Sequence, residues 1–81
     1  MQQVVETIQT NAKEQLRVEL TEFKGHDLLG MRVYAETDSG FIATEKEITV
    51  NVKLLPKLMM ALRKAQAVAA LAGLIDLVDK G

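Results

Sequence analysis

The chain has 81 residues, enough for one small domain and too few for two. It contains no cysteine, which excludes disulfides, thiolate metal sites and cysteine nucleophiles. Hydrophobic residues make up 48% of the chain but aromatic residues only 4%, so the core must be aliphatic. A core this small is marginal, which favours association between chains. The net charge of −1 does not by itself indicate a nucleic-acid partner.

Neither the N-terminus nor the apolar residues indicate secretion or membrane insertion. Residues 1–6 lack a basic segment followed by an apolar one. The apolar-rich stretch 65–78 is interrupted by Gln66 and Asp76, and it is shorter than the roughly 20 residues of a membrane span. We therefore expect a cytoplasmic protein without membrane contact.

The first dozen residues match neither the helical nor the strand period, although β-branched residues are frequent among them. We interpret residues 1–12 as an N-terminal extension, either flexible or docked as one short element. The remaining residues, 13–81, are predicted to form a single domain.

Alternating apolar and polar residues predict four strands in the first part of this domain. The first strand covers 16–24 and places Leu16, Val18 and Leu20 on one face. The second runs from 28 to about 37, after turn-forming residues at 25–27. Residues 38–40 indicate a hairpin, followed by two short strands at 41–44 and 46–52. The pattern is that of an antiparallel meander.

The period then changes to three and four, which predicts an amphipathic helix beginning near residues 51–53. Pro56 is compatible with this helix in its first turn, where a missing amide donor costs nothing. Beyond Ala65 apolar residues cover much of the circumference, so another surface must bury them. A second copy of the chain is the simplest cover. The expected fold is therefore α+β, ordered β-β-β-β-α, in a homodimer.

Few residues could carry catalysis. His26 is the single histidine, and no second histidine or cysteine lies at metal-ligand spacing. Glu45 and Glu47 share a strand face, but charged outer faces of small sheets are commoner than catalytic acid pairs. No glycine pattern fits a phosphate-binding loop. We expect neither an enzyme nor a requirement for a metal or cofactor.

A binding surface is better supported. Phe23 and Tyr34 fall on the strand faces that also carry Arg17 and Arg32. Rings beside cations are typical of surfaces that hold single strands, because bases stack at roughly 1–3 kcal/mol each while Lys and Arg contact phosphates. In the alternative interpretation the rings are edge core residues and the charges only meet solvent. From the pattern alone, this alternative is the commoner case.

The segment from Thr21 to Tyr34 reads Thr-Glu-Phe-Lys-Gly-His-Asp-Leu-Leu-Gly-Met-Arg-Val-Tyr. It resembles the central segment of the positive cofactor four family of single-stranded-DNA-binding transcriptional coactivators, which has bacterial and phage members. The pattern of that family is an acid, Phe-Lys-Gly, a short polar turn, an apolar strand, then Arg and an aromatic residue. The likeness covers roughly residues 13–64 and is most specific from Phe23 to Arg32.

The resemblance implies a curved four-stranded antiparallel sheet followed by one long helix, paired into a homodimer through the helices and final strands. It implies that Phe23 stacks on a base, that Lys24 and Arg32 meet phosphates, and that His26 makes a weaker contact. The predicted DNA-binding residues are Arg17, Phe23, Lys24, His26, Arg32, Tyr34 and Lys46. The predicted dimer contacts are Val50, Val52, Leu55, Leu58, Met59, Leu62, Leu71 and Leu74.

Three residues depart from the family pattern. Ala35 stands where many members have a stacking tryptophan, and Glu45 and Glu47 stand where the family usually has basic residues or glycine. Acids near a phosphate path oppose binding, so we expect a lower and more salt-sensitive affinity.

The sequence therefore supports a single-stranded-DNA-binding protein acting in transcription, replication or recombination. Its partners would include transcription or replication proteins, in a bacterial nucleoid or a phage-infected cell. Unwound duplex and RNA remain open as targets. The rival interpretation is a dimeric protein-interaction module that kept the fold, lost most of its DNA affinity and uses its apolar C-terminal helix.

Overall fold

The computed structural model describes residues 2–76, and the apolar tail seen in the sequence continues beyond them. The elements are β1 (Gln2–Asn11), β2 (Glu14–Phe23), β3 (His26–Thr37), β4 (Gly40–Asn51), a 3-10 turn (Val52–Leu54) and α1 (Leu55–Leu71). The four strands form one antiparallel sheet in chain order. The predicted α+β class, a four-stranded antiparallel sheet followed by one helix, is confirmed.

The N-terminal segment is a full strand and not a short appendage. β1 pairs with β2 from Gln2, opposite Thr21, to Asn11, opposite Glu14. Its register shifts between Val4 and Glu6 and again between Gln9 and Asn11. Because a bulge interrupts the period of two, the β-branched residues of β1 do not alternate in the sequence. Of the two expected forms of residues 2–11, flexible or docked, the structure has the docked one, as a ten-residue edge strand.

β4 is a single strand of 12 residues, where the sequence predicted two shorter ones. Arg32 pairs with Glu47 and Tyr34 with Ala43, so two positions along β3 correspond to four along β4. The two extra residues lie in an irregular stretch at 44–46, where Thr44 and Lys46 interrupt the apolar alternation that would have revealed one strand.

The two hairpin turns differ in how well the sequence located them. Lys24 and Gly25 form the β2–β3 turn, with φ of 52° and 80°. Two left-handed residues in a two-residue loop are the signature of a type I′ turn, which matches the twist of the strands. His26, predicted within the turn, instead begins β3 opposite Phe23. The predicted hairpin at 38–40 is confirmed, and Gly40 begins β4 with φ of 104°.

One face of the sheet is apolar, since cross-strand neighbours there are aliphatic. Leu20 lies opposite Leu29, which in turn lies opposite Val50. Leu29 is 5% exposed and is the one buried hydrophobic residue of the described chain. An apolar cavity of about 280 Å³ separates this face from α1. It is lined by Val5, Val18, Leu20, Leu29, Met31, Leu55, Leu58, Met59 and Leu62.

Local signals fix both ends of α1. The Asn51 side chain caps the 3-10 turn before α1 by accepting a hydrogen bond from the Lys53 amide at 2.9 Å. The helix start predicted near 51–53 therefore falls on that turn, whereas α1 begins at Leu55, with Pro56 in its first turn as predicted. At the other end Gly73 has φ of 75°, and the Leu74 amide donates to the Ala69 carbonyl at 2.8 Å. This is a Schellman ending, in which a left-handed residue closes the helix. Within residues 2–76, no helix is both long and apolar enough to cross a membrane.

We predict that Lys24→Asn stabilises the fold. Lys24 holds a left-handed conformation that is costly for a residue with a long side chain, whereas Asn-Gly is the preferred pair in a type I′ turn. The free energy of unfolding should rise by about 0.5–1 kcal/mol. Urea denaturation followed by circular dichroism, at one fixed protein concentration, measures it. Lys13→Asn in the β1–β2 turn makes the same chemical change without this relief, and an equal rise there would contradict the prediction.

Candidate nucleic-acid interface

The sheet face opposite α1 collects the polar and charged side chains, and we call it the open face. Successive side chains of a strand point to opposite faces, so the register decides its members. Arg17 lies opposite Arg32, and Arg32 lies opposite Glu47. The open face includes Gln15, Arg17, Glu19, Thr21 and Phe23 of β2, His26, Leu28, Gly30, Arg32 and Tyr34 of β3, and Glu47, Thr49 and Asn51 of β4.

A shallow groove of about 300 Å³ crosses this face. Phe23 and Arg32 line it together with the acids Glu19, Glu22 and Glu47. Phe23 is six residues along β2 from Arg17, which is about 20 Å at the rise of a strand. The groove therefore offers a ring and a guanidinium to an extended ligand, but it also carries more carboxylates than cations.

Phe23 and Lys24 form the accessible end of the open face. Phe23 is 60% exposed at the tip of the β2–β3 hairpin. The Lys24 ammonium lies 5.3 Å from the centre of the Phe23 ring, within the range of a cation–π contact. His26, also exposed, pairs with Phe23 across the hairpin. A ring and a cation side by side can bind a base and its phosphate together.

Tyr34 lies at the centre of the open face, where its ring is already occupied. The Arg17 guanidinium carbon lies 4.0 Å from the ring centre. The Tyr34 hydroxyl donates a hydrogen bond to Glu19 Oε1 at 3.0 Å, and Arg17 Nη2 donates to Gln15 Oε1 at 3.3 Å. Arg17 therefore takes the ring face on which a base would otherwise stack.

This environment raises the pKa of Tyr34. Burial is the largest cause, because it disfavours the phenolate. The hydrogen bond to the Glu19 carboxylate and the charge of that carboxylate act in the same direction. The Arg17 and Arg32 cations oppose them without cancelling them. The neutral tyrosine is thus the form that the folded chain stabilises.

Arg32 is engaged at both of its terminal nitrogens. Nη1 donates to the Thr44 carbonyl at 2.7 Å, while Nη2 forms an ion pair with Glu47 Oε2. The Thr44 hydroxyl in turn donates to the Val33 carbonyl at 2.7 Å. The irregular stretch of β4 therefore supplies a carbonyl that turns toward Arg32, which a regular ladder would not do.

Lys46 stands apart from the other predicted DNA-binding residues. It lines an apolar hollow of about 430 Å³ with Leu16, Met31, Val33, Glu47 and Ile48. Leu16 and Val33 are cross-strand partners on the apolar face, so the hollow lies on that side. The structure brings Arg17, Phe23, Lys24, His26, Arg32 and Tyr34 to the open face and its hairpin, and leaves Lys46 outside this group. Its role in binding stays a prediction.

The sequence prediction missed Glu19 and Thr44, which hold Tyr34 and Arg32. Glu19 could have been found, because it follows Arg17 by two residues on one strand face. Thr44 could not, because its position depends on the shifted register of β4.

The predicted dimer contacts divide into two groups. Leu55, Leu58, Met59 and Leu62 point from α1 toward the sheet, where they line the apolar cavity with Leu29. Val50 lies on the same apolar face, and Val52 lies in the 3-10 turn.

Leu71 and Leu74 form the second group, and Leu71 points in a different direction from the first group. It is nine residues beyond Leu62, so it points about half a turn away at 3.6 residues per turn. Leu71 is 90% and Leu74 74% exposed. A dimer contact through the face of α1 that lines the apolar cavity would therefore not include Leu71.

We predict that Tyr34 titrates above the ordinary tyrosine value of 10.0. It is the only tyrosine, and there is no tryptophan, so phenolate absorbance near 295 nm reports it alone. Glu19→Gln should lower the midpoint, because it removes the carboxylate charge.

The raised pKa of Tyr34 determines how the stability of the fold changes with pH. The contribution of Tyr34 to folding is fully present below the pKa of the unfolded chain and is lost as pH rises through the folded pKa. A midpoint at or below that of a free tyrosine, with the chain folded by circular dichroism, would contradict the prediction.

Comparisons with known proteins bear on the fold. No protein-family model matches the chain, and no curated protein matches it in sequence. A PC4 homologue from Burkholderia pseudomallei K96243, in an orthorhombic crystal form, has a TM-score of 0.74 at 20% identity, covering 79% of this chain and 88% of that one. Its tetragonal form has a TM-score of 0.73 at 19% identity, covering 82% and 98%.

A phage protein matches as well. The bacteriophage T5 homologue of the eukaryotic transcription coactivator PC4, implicated in recombination-dependent DNA replication, has a TM-score of 0.56 at 16% identity, covering 91% of this chain and 82% of that one. The chain therefore has the fold of bacterial and phage homologues of PC4, positive cofactor four, and the resemblance noted in its sequence is confirmed at the level of the fold.

Proposed function

We propose that this chain is a homodimeric protein that binds single-stranded DNA with little dependence on base sequence. The observation that carries the proposal is the open face itself. It joins an exposed ring and a lysine at the β2–β3 hairpin to two arginines farther along the sheet, on a PC4-like fold. Such a surface binds by stacking and phosphate contact, both of which every base sequence offers.

Phe23 is the proposed stacking platform, and Lys24 the proposed phosphate contact beside it. Phe23 is the more exposed of the rings, whereas Arg17 covers the Tyr34 ring. Lys24 occupies a left-handed position at which asparagine or glycine would be less strained. Strain of this kind concentrates at functional sites, so a cation at this turn supports a binding role.

Arg17 and Arg32 would continue the phosphate path across the sheet. A guanidinium has five N–H donors, and the contacts described above use only some of them. Because the protein would bind unpaired strands better than duplex, it would pull a duplex toward its open form by mass action. This mechanism requires no catalytic step, metal or cofactor.

The process served would be transcription, replication or recombination in the cytoplasm. The bacteriophage T5 protein with this fold is implicated in recombination-dependent DNA replication, which supports that range. Oligo-rU tested beside oligo-dT decides between RNA and DNA, and a matched duplex tests the preference for unpaired strands.

Dimerisation is proposed because the chain alone leaves its aliphatic residues uncovered. Met59 is 43% and Leu62 50% exposed, although both line the cavity against the sheet. A residue that faces a core is normally far less accessible, since its burial provides the main driving force for folding. A second copy that packs against α1 and the apolar face would remove this surface from water.

One observation favours the second candidate, a protein-interaction module. Val68 and Leu71 are 66% and 90% exposed on the side of α1 that faces away from the sheet. A partner protein could cover them without any contact to DNA. A folded dimer that binds neither oligo-dT nor oligo-rU would favour this candidate.

We predict that Phe23→Ala weakens single-strand binding by about 1–3 kcal/mol, because one base loses its stacking partner. Fluorescence anisotropy of labelled oligo-dT at two salt concentrations measures the affinity. Phe23→Tyr keeps the ring and should bind like the parent, whereas Phe23→Leu keeps only apolar area and should bind weakly. Equal affinity of all three variants would remove the stacking role.

We predict that Leu62→Lys disrupts the dimer, because it places a charge on the face of α1 that the second copy must cover. Light scattering should give twice the 8.9 kDa chain mass for the parent and a lower mass for the variant. Met60→Lys adds the same charge on the opposite side of α1 and serves as the control. A parent of single-chain mass would contradict the dimer.

A further inference from the structure

We propose that Glu47 is a built-in competitor for the phosphate at Arg32, so that a single strand gains this contact only by displacing an internal carboxylate. The inference rests on the proposed function, because it assumes that the open face receives a nucleic acid. It names the residue that would set the affinity and the salt dependence of this site.

The register places the competitor directly at the site. Glu47 lies opposite Arg32 on the neighbouring strand, and both line the groove of the open face with Phe23. The Glu47 carboxylate pairs with Arg32 Nη2, while the Thr44 carbonyl accepts from Nη1 at 2.7 Å. Carboxylate and phosphate oxygens use the same guanidinium donors. A bound phosphate and Glu47 therefore compete for Arg32.

The exposure of the pair makes exchange feasible. The Arg32 side chain is 32% and the Glu47 side chain 42% exposed, so water and ions reach both. Ion pairs that are this accessible are weak and are screened by salt. Opening a buried ion pair would cost far more, because it would leave an uncompensated charge away from water. Arg32 is therefore accessible to a phosphate, but Glu47 neutralises its charge.

This arrangement changes the expected salt dependence. Each phosphate contact of a single strand contributes about −0.7 to the slope of log K against log salt. In the parent, the Arg32 charge is cancelled by Glu47 before the strand arrives, so its share of the slope is suppressed. Salt also weakens the internal pair itself. Acidic residues near a phosphate path by themselves predict a steeper salt dependence, whereas the pairing of Glu47 with Arg32 predicts a shallower one.

The test is the affinity for labelled oligo-dT across a series of salt concentrations. Glu47→Gln should bind about three- to tenfold tighter at low salt and steepen the slope by about 0.7. Glu45→Gln is the matched control. It removes the same charge from the same strand, and in the part of the chain that the structure describes Glu45 forms no ion pair with Arg32. Circular dichroism verifies the fold of each variant.

A double-mutant cycle separates competition from general repulsion. If charges simply add, Arg32→Ala costs the same affinity in the parent and in Glu47→Gln. If Glu47 competes, the loss in the Glu47→Gln background is larger by threefold or more, because only there is Arg32 fully available. Equal losses in the two backgrounds would overturn the inference.

The outcomes for the inference and for the proposed function can be told apart. If the parent binds and Glu47→Gln behaves like Glu45→Gln, the inference fails and the proposed function stands. If only Glu47→Gln binds, the inference holds in its strongest form and single-strand binding by the parent is wrong. If neither binds, both fail, because removing the competitor has not revealed a site.

Discussion

The apolar face of the sheet must be covered, and one helix provides too little cover. Leu29 is the one buried hydrophobic residue in the part of the chain that the structure describes, and α1 closes over the sheet with a cavity of about 280 Å³ between them. A small domain hides a modest fraction of its surface under any topology. This requirement fixes the side of the sheet where assembly would occur, and it leaves the other side for a ligand.

The charges of the open face are paired toward its centre and accessible at the hairpin tip. Toward the centre, Arg17 packs on Tyr34, which is bonded to Glu19, and Arg32 pairs with Glu47. At the hairpin tip, by contrast, Phe23 extends into solvent with Lys24 beside it. A ligand would meet an available ring and cation first, and would reach the arginines only by entering a surface whose charges already neutralise each other.

The parts of the fold that the sequence predicted are those in which periodicity is unbroken. β2 pairs with β3 without a shift, so the alternation of Leu16, Val18 and Leu20 identified both the strand and its apolar face. The helical segment was located nearly as well, because the start predicted near 51–53 falls on the 3-10 turn that Asn51 caps, and Pro56 lies in the first turn of α1. Single-residue signals and regular periods are properties of the sequence itself.

What could not be predicted depends on register. A bulge near Val5 hides β1, since one extra residue reverses the alternation. In β4 the irregular stretch at 44–46 adds two residues, so the faces are kept, but the polar residues Thr44 and Lys46 interrupt the apolar pattern. Lys46 faces the apolar hollow because it alternates with Ile48, whereas the irregular stretch of β4 turns the Thr44 carbonyl toward Arg32. The residue types of the candidate site were thus readable, but their partners were not.

The register also decides whether the chain compensates for the missing tryptophan at Ala35. Ala35 shares the apolar face with Val33, so a ring at this position would not lie beside Arg32. Phe41 pairs with Glu36, two residues after Tyr34, and therefore belongs to the open face. Phe23 and Phe41 lie opposite His26 and Glu36, which are about 33 Å apart along β3. A DNA strand that used both rings would have to pass Arg17 and Arg32 between them, so under the proposed function the ease of exchanging Glu47 for phosphate would control whether the two rings act as one site.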